Sequence, residues 1–75
     1  MTGEWKRQRR HNGPDIWQFA NHEYEAFPAI ALVTRKERII AKIWGPLQMP
    51  DNDLQQLLER EYTPVEGLTL HRIAP

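Results

Sequence analysis

The sequence predicts a single α+β domain in which a small antiparallel sheet of three to four strands packs against one amphipathic helix. Three observations lead to this prediction. Short segments rich in β-branched and aromatic residues occur between residues 15 and 44, and leucines recur at helical spacing between residues 54 and 58. Proline and glycine occur at the expected connections between these elements. With 75 residues and no cysteine, the chain has room for one small core and excludes a disulfide scaffold.

Residues 1–13 are predicted to form a flexible basic arm, and residues 14–75 to form the folded domain. The arm ends in the turn signal Asn12-Gly13-Pro14. Its charged residues are Lys6, Arg7, Arg9 and Arg10 against Glu4, a balance of +3. Since the whole chain has ten basic and ten acidic residues, the remainder carries −3, and the charge is segregated along the sequence.

The first strand is expected over residues 15–20, where Trp17 and Phe19 alternate with Gln18. A second short strand is expected over residues 24–27. It ends, bulges or lies on an edge at Pro28, because proline has no N–H to donate to a neighbouring strand.

Residues 29–44 fit either a helix opened by Pro28 or a hairpin. As a helix, the segment places Glu37 in the middle of its apolar stripe. As a hairpin, its β-branched clusters flank the charged tip Arg35-Lys36-Glu37-Arg38, and Gly45-Pro46 ends the second strand. The sequence therefore favours the hairpin.

A helix is predicted over residues 52–62, because Leu54, Leu57, Leu58 and Tyr62 share one helical stripe. Asn52 is the expected N-terminal cap, with Gln55 three residues later. Thr63-Pro64 ends the helix, and residues 68–73 are expected to form a closing strand. The predicted element order is β-β-β-α-β or close to it.

The hairpin has apolar residues on both faces, and a single short helix covers only one face of a sheet. The second face then requires the N-terminal segment, a second copy of the chain or a partner protein. Exposed aromatic residues are the expected contacts with a protein partner, since large rings often dominate interface energetics. The candidates are Trp17, Phe27 and Trp44.

Nucleic-acid binding is the alternative prediction, because guanidinium and ammonium groups pair with phosphates and an indole ring stacks on a base. The arm and the hairpin tip supply the candidate residues, which are Trp5, Lys6, Arg7, Arg9, Arg10, Arg35, Lys36 and Arg38. A continuous basic surface would require the arm and the tip to lie on the same side of the domain.

No catalytic, metal or cofactor motif occurs in the sequence. His11, His22 and His71 are not spaced as metal ligands, and the chain has no nucleophile elbow, phosphate-binding glycine loop or dinucleotide fingerprint. We therefore expect no enzymatic activity, no metal and no cofactor. With no long apolar run and a polar N-terminus, the sequence predicts a soluble cytoplasmic protein without membrane contact.

These observations together predict a small non-enzymatic regulator or inhibitor that binds a surface of a larger protein or complex. The sequence also leaves open self-association through the uncovered sheet face. Small regulators encoded by phages and other mobile elements have the same general profile, but no motif in the sequence indicates such an origin.

Overall fold

A computed structural model describes residues 3–20 and 26–73. In this part of the chain, five strands and one helix follow the order β1 Glu4–Gln8, β2 Asp15–Ala20, β3 Ala29–Arg35, β4 Arg38–Trp44, α1 Asp51–Glu61 and β5 Leu68–Arg72. The predicted α+β class with one helix is confirmed. The sheet, however, has more strands than the three to four expected, and the order is β-β-β-β-α-β.

The sheet is mixed, with the strand order β1-β2-β4-β3-β5. Strands β2 and β4 run parallel, and every other neighbouring pair is antiparallel. The parallel pair arises because β4 returns beside β2 after the chain has placed β3 one position further out. The expectation of a purely antiparallel sheet is therefore wrong at the centre of the sheet.

Strand β1 lies inside the segment that the sequence predicts to be an arm. It pairs with β2 along its whole length, from Glu4 opposite Ala20 to Gln8 opposite Ile16. The prediction that residues 1–13 lie outside the fold is therefore corrected for residues 4–8. These residues form an edge strand, and the basic residues that follow them lie in the turn between β1 and β2.

The predicted hairpin over residues 29–44 is confirmed by the antiparallel pairing of β3 with β4. Lys36 and Glu37 form its turn, with φ values of 50° and 66°, in the left-handed region that glycine and asparagine prefer. Register shifts occur between Ala29 and Ala31 and between Val33 and Thr34. The predicted strand over residues 24–27 is not observed at residues 26–27, and residues 24–25 lie outside the described part.

Helix α1 presents Leu54, Leu57 and Leu58 to the core, as the leucine spacing predicts. Its cap differs from the expectation: Pro50 occupies the N-cap position, and no side chain there makes a capping hydrogen bond. The helix begins early enough that Asn52 is already inside it. Tyr62 follows the last helical turn and donates its backbone N–H to the Leu58 carbonyl at 2.9 Å.

One layer of core separates the helix from one face of the sheet. The buried residues of this layer are Trp17, Phe19, Ile30, Ala31, Val33, Ala41, Ile43, Met49, Leu54, Leu57 and Leu58. Ile40 and the apolar residues of β5 pack against its margin. The helix therefore covers one face of the sheet and leaves the opposite face as a candidate binding surface.

Candidate functional site: the open face of the sheet

The face of the sheet opposite the helix carries apolar side chains under no second layer of secondary structure within residues 3–20 and 26–73. Strand alternation places this face at Ile16 and Gln18 on β2, Leu32 on β3, and Lys42 and Trp44 on β4. These five residues are here called the open face. Ile16 and Leu32 lie outside the core cluster, in agreement with side chains that point away from the helix. Ile16 is nevertheless only 7% exposed, so Leu32, Lys42 and Trp44, which are half-buried, offer most of the accessible surface of this face.

Lys42 lies near the middle of the open face. Its registered neighbours are Ile16 on one side and Leu32 on the other, and Trp44 is two residues further along the same strand. Lys42 is half-buried, as expected when the aliphatic part of a lysine side chain packs between apolar neighbours. No carboxylate of residues 3–20 or 26–73 lies within ion-pair distance of its ammonium group.

Trp44 and Phe27 lie together at one margin of the open face. Both line a concave site with Lys6 and Gln18, and Phe27 contacts Phe19 with their ring centroids 6.2 Å apart. Both aromatic side chains are half-buried, so part of each ring is available to a partner. Two of the three residues predicted to bind a protein partner are therefore brought together by the fold.

Trp17, the third predicted partner-binding residue, is a core residue. It is 3% exposed and belongs to the layer under the helix. Its indole Nε1 donates to the Tyr62 hydroxyl at 2.9 Å. The expectation that Trp17 is an exposed contact residue is corrected, because alternation along β2 turns it to the helix side.

Two of the predicted nucleic-acid-binding residues are used within the fold. Trp5 is half-buried and packs edge-on against Phe19, with the ring centroids 5.1 Å apart. Arg7 forms an ion pair with Asp15, and its guanidinium carbon lies 5.1 Å from the centre of the Trp17 ring. Neither side chain is free to contact nucleic acid without giving up these interactions.

Arg7 belongs to a polar network that joins β1, β2 and the end of α1. Asp15 Oδ2 accepts hydrogen bonds from the Arg7 guanidinium and from the Tyr62 hydroxyl, the latter at 2.9 Å. Arg7 also lies 4.0 Å from a carboxylate oxygen of Glu61. Burial raises the pKa of the Tyr62 phenol, and the charge of Asp15 acts in the same direction. This network explains why a strand as polar as β1 joins the sheet.

The remaining basic candidates differ in their exposure. Arg35 is half-buried and donates to the Pro64 carbonyl oxygen. Lys6 is exposed on the same side of the sheet as the open face. The other candidates are exposed in turns or at strand ends, and they are Arg9, Arg10, Lys36 and Arg38.

The histidines form no catalytic or metal-binding constellation among residues 3–20 and 26–73. His71 Nε2 lies 2.9 Å from the Thr34 hydroxyl, and His11 is exposed in the β1–β2 turn. No group of three metal-ligating side chains occurs among these residues. His22 lies outside them. In the same part of the chain, no helix has the length and hydropathy required to cross a membrane.

Lys42 is a site residue that sequence reasoning misses, although its position gives a signal. Lys42 and Trp44 are two residues apart on one strand, and this spacing places them on the same face. Their shared face only becomes a candidate site once the register with Ile16 and Leu32 is known, because those neighbours come from distant parts of the chain.

The comparisons with known proteins provide no relative from which a function could be transferred. No protein-family model, curated protein or solved structure matches the chain. The geometry of the chain itself is therefore the basis for its proposed function.

Proposed function

We propose that the protein is a non-enzymatic binding protein that docks a partner protein on the open face of its sheet. The observation that carries this proposal is the central position of Lys42 among Ile16, Leu32 and Trp44 on a face that the helix leaves uncovered. An apolar centre with an aromatic residue and a small number of charges is the composition of a protein interface core.

The position of Lys42 also defines the chemistry of the partner. An ammonium group at the centre of an interface loses its water on binding and then requires an opposite charge. The partner surface should therefore present a carboxylate surrounded by apolar side chains. Trp44 and Phe27, at the margin, would pack against the apolar part of that surface.

Self-association through the open face is less favourable than binding to a different protein. In a two-fold dimer the same patch of both copies meets itself, so residues near the centre face their own equivalents. Two Lys42 ammonium groups would then approach each other, and like charges at the centre of an interface are destabilising. The open face is better suited to an acidic partner than to a second copy.

The test compares variants of the open face with a control on the helix. Lys42→Glu reverses the central charge, and Trp44→Ala removes the aromatic contact. The control is Arg60→Glu, a charge reversal at an exposed helical residue that lies outside the open face. Far-UV circular dichroism and urea unfolding first establish that each variant is folded.

Partners are captured from a lysate with the wild-type protein, identified, purified and titrated against each variant by calorimetry. We expect Lys42→Glu and Trp44→Ala each to weaken binding by at least about 30-fold, the effect of losing about 2 kcal/mol at a hot-spot residue. Arg60→Glu should bind like the wild type. A partner that binds both open-face variants as tightly as the wild type, and loses affinity for Arg60→Glu, would place the interface on the helix and refute the proposal.

A further inference from the structure

The fold brings two basic turns to one end of the sheet. Strand β1 is antiparallel to β2, β2 is parallel to β4, and β4 is antiparallel to β3. The end of β1, the start of β2, the start of β4 and the end of β3 therefore lie at the same end. This places Arg9 and Arg10, in the β1–β2 turn, at the same end of the sheet as Lys36 and Arg38 of the hairpin tip. We call these four residues the basic end.

The basic end differs from the other arginines near it because, within residues 3–20 and 26–73, its side chains make neither an ion pair nor a side-chain hydrogen bond. Arg7 pairs with Asp15, and Arg35 donates to the Pro64 carbonyl oxygen. All four residues of the basic end are exposed, and none of them contacts a carboxylate of residues 3–20 or 26–73 within ion-pair distance. Their charges are available to a ligand without a change in the fold.

The backbone of the hairpin tip gives a second, independent observation. Lys36 and Glu37 both have positive φ, which residues with a Cβ atom adopt at a cost and which Asn-Gly adopts readily. The turn therefore has two charged residues at positions where the backbone conformation favours asparagine and glycine. At Lys36, strain of this kind is consistent with a functional requirement for a basic side chain, whereas the strain at Glu37 gives no support to phosphate binding.

We propose that the basic end binds the phosphate backbone of a nucleic acid, independently of base sequence. Neighbouring strands are about 4.8 Å apart, so β1 and β4 are separated by roughly 10 Å, and the two turns can contact different phosphates of one nucleic acid. Trp5 is not available there for stacking on a base, since it packs against Phe19. Contacts to phosphate alone carry no sequence information.

The basic end shares no residue with the open face, and Arg38 lies four residues before Lys42 on β4. The one acidic residue of the hairpin tip is Glu37, which should weaken phosphate binding. Its removal therefore provides a gain-of-function test that does not depend on damaging the protein.

The experiment measures binding of the full chain to a short fluorescein-labelled DNA duplex by fluorescence anisotropy at several salt concentrations. Four phosphate contacts predict a slope of about −3.6 for the logarithm of affinity against the logarithm of salt concentration. The combined variant R9Q/R10Q/K36Q/R38Q should lose at least about 100-fold in affinity and nearly all of the slope. The matched controls are Lys42→Gln on the open face and Arg60→Gln on the helix, which should bind DNA like the wild type.

Two variants separate the charge of Glu37 from its backbone. Glu37→Gln should tighten DNA binding by a few-fold while leaving the unfolding midpoint unchanged. Glu37→Gly should tighten binding equally and also raise the urea midpoint, because glycine accepts the positive φ. Tightening by the glycine variant alone would show that charge at this position is irrelevant and would contradict the proposal.

The proposal is overturned if the combined variant binds DNA like the wild type, or if Lys42→Gln or Arg60→Gln causes an equal loss. It is also overturned if the wild type binds phosphatidylserine vesicles through these four residues more tightly than DNA, which would assign the basic end to a lipid surface. None of these results affects the open-face proposal, whose variants and partner are different.

Discussion

The network around Tyr62 gives a prediction whose size follows from the structure. Tyr62→Phe removes one hydroxyl, which accepts from Trp17 Nε1 at 2.9 Å and donates to Asp15 Oδ2 at 2.9 Å. Trp17 is 3% exposed, so water has little access to the indole N–H that loses its acceptor. An unsatisfied buried donor costs about 1–3 kcal/mol. The loss of the hydrogen bond to Asp15 costs less free energy, because Asp15 retains its ion pair with Arg7 and part of its side chain is exposed to water.

The expected loss for Tyr62→Phe is therefore about 2–3 kcal/mol in the free energy of unfolding. The free energy of unfolding of a native domain is roughly 0.05–0.15 kcal/mol per residue, so a chain of this size has a total stability of about 4–11 kcal/mol. The variant should lose a large share of that stability and melt about 10–20 °C lower. Urea unfolding followed by far-UV circular dichroism measures the loss directly.

A double-mutant cycle with Trp17→Phe isolates the hydrogen bond between the two rings. In the Trp17→Phe background the indole donor is already gone, so Tyr62→Phe should cost about 1–2 kcal/mol less than in the wild type. If Tyr62→Phe changes the free energy of unfolding by under about 0.5 kcal/mol, or if the two substitutions are additive, the network is not formed as described.

Two further predictions concern pH and backbone conformation. Because burial raises the pKa of Tyr62 in the folded state, the folded protein holds the phenolic proton more tightly than the unfolded chain. This contribution is complete below about pH 10, the value of an exposed tyrosine, and is lost as the pH rises through the folded pKa. Urea midpoints from about pH 8 to 11 should show this loss in the wild type and a smaller one in Tyr62→Phe, and parallel curves would contradict it. Gly67 has a φ of 87°, and a Cβ atom added there would meet nothing within 4 Å, so Gly67→Ala should cost about 1–2 kcal/mol through backbone strain alone. Gly13→Ala is the control, since Gly13 has no positive φ and a Cβ there meets only the Arg10 side chain at 3.8 Å, and equal losses for both would refute the strain explanation.

The elements that the sequence predicts correctly depend on local patterns. The leucine spacing in α1 and the β-branched clusters of β3 and β4 each identify an element without reference to the rest of the chain. Strand β1 is not predicted, because its formation depends on contacts with β2 and not on a local pattern. Its residues Glu4–Gln8 include one large apolar side chain, and they form a strand because β2 offers a free edge and Asp15 offers a partner for Arg7. Strand formation of this kind depends on neighbours that a local pattern does not contain.

The candidate site, like the fold, is predicted from the sequence only where it depends on local patterns. Alternation along β2 and β4 correctly separates residues into two faces, but it does not say which face the helix covers. The sequence therefore groups Trp17 and Trp44 as partner contacts, although the helix covers the first and leaves the second exposed in part. The importance of Lys42 depends on its registered neighbours Ile16 and Leu32, and the register becomes known only with the fold.

The overall neutrality of the chain weighs less against nucleic-acid binding once the positions of its charges are known. Net charge governs the attraction of a distant ligand, whereas a ligand within about a Debye length of the surface, roughly 10 Å at moderate salt, responds to the charges nearest to it. Asp15 and Glu61 are acids close to the strand that leads into the basic end, and both lie beside Arg7. Arg7 offsets one of these two negative charges, and Arg60, which pairs with Glu61, offsets the other. The positive field of Arg9 and Arg10 is therefore less opposed by these two carboxylates. The sequence suggests Arg7 as a phosphate contact, but the structure places it against Asp15 and Glu61. In the proposed binding of nucleic acid, Arg7 would act indirectly, by reducing the repulsion between these carboxylates and a phosphate near the basic end.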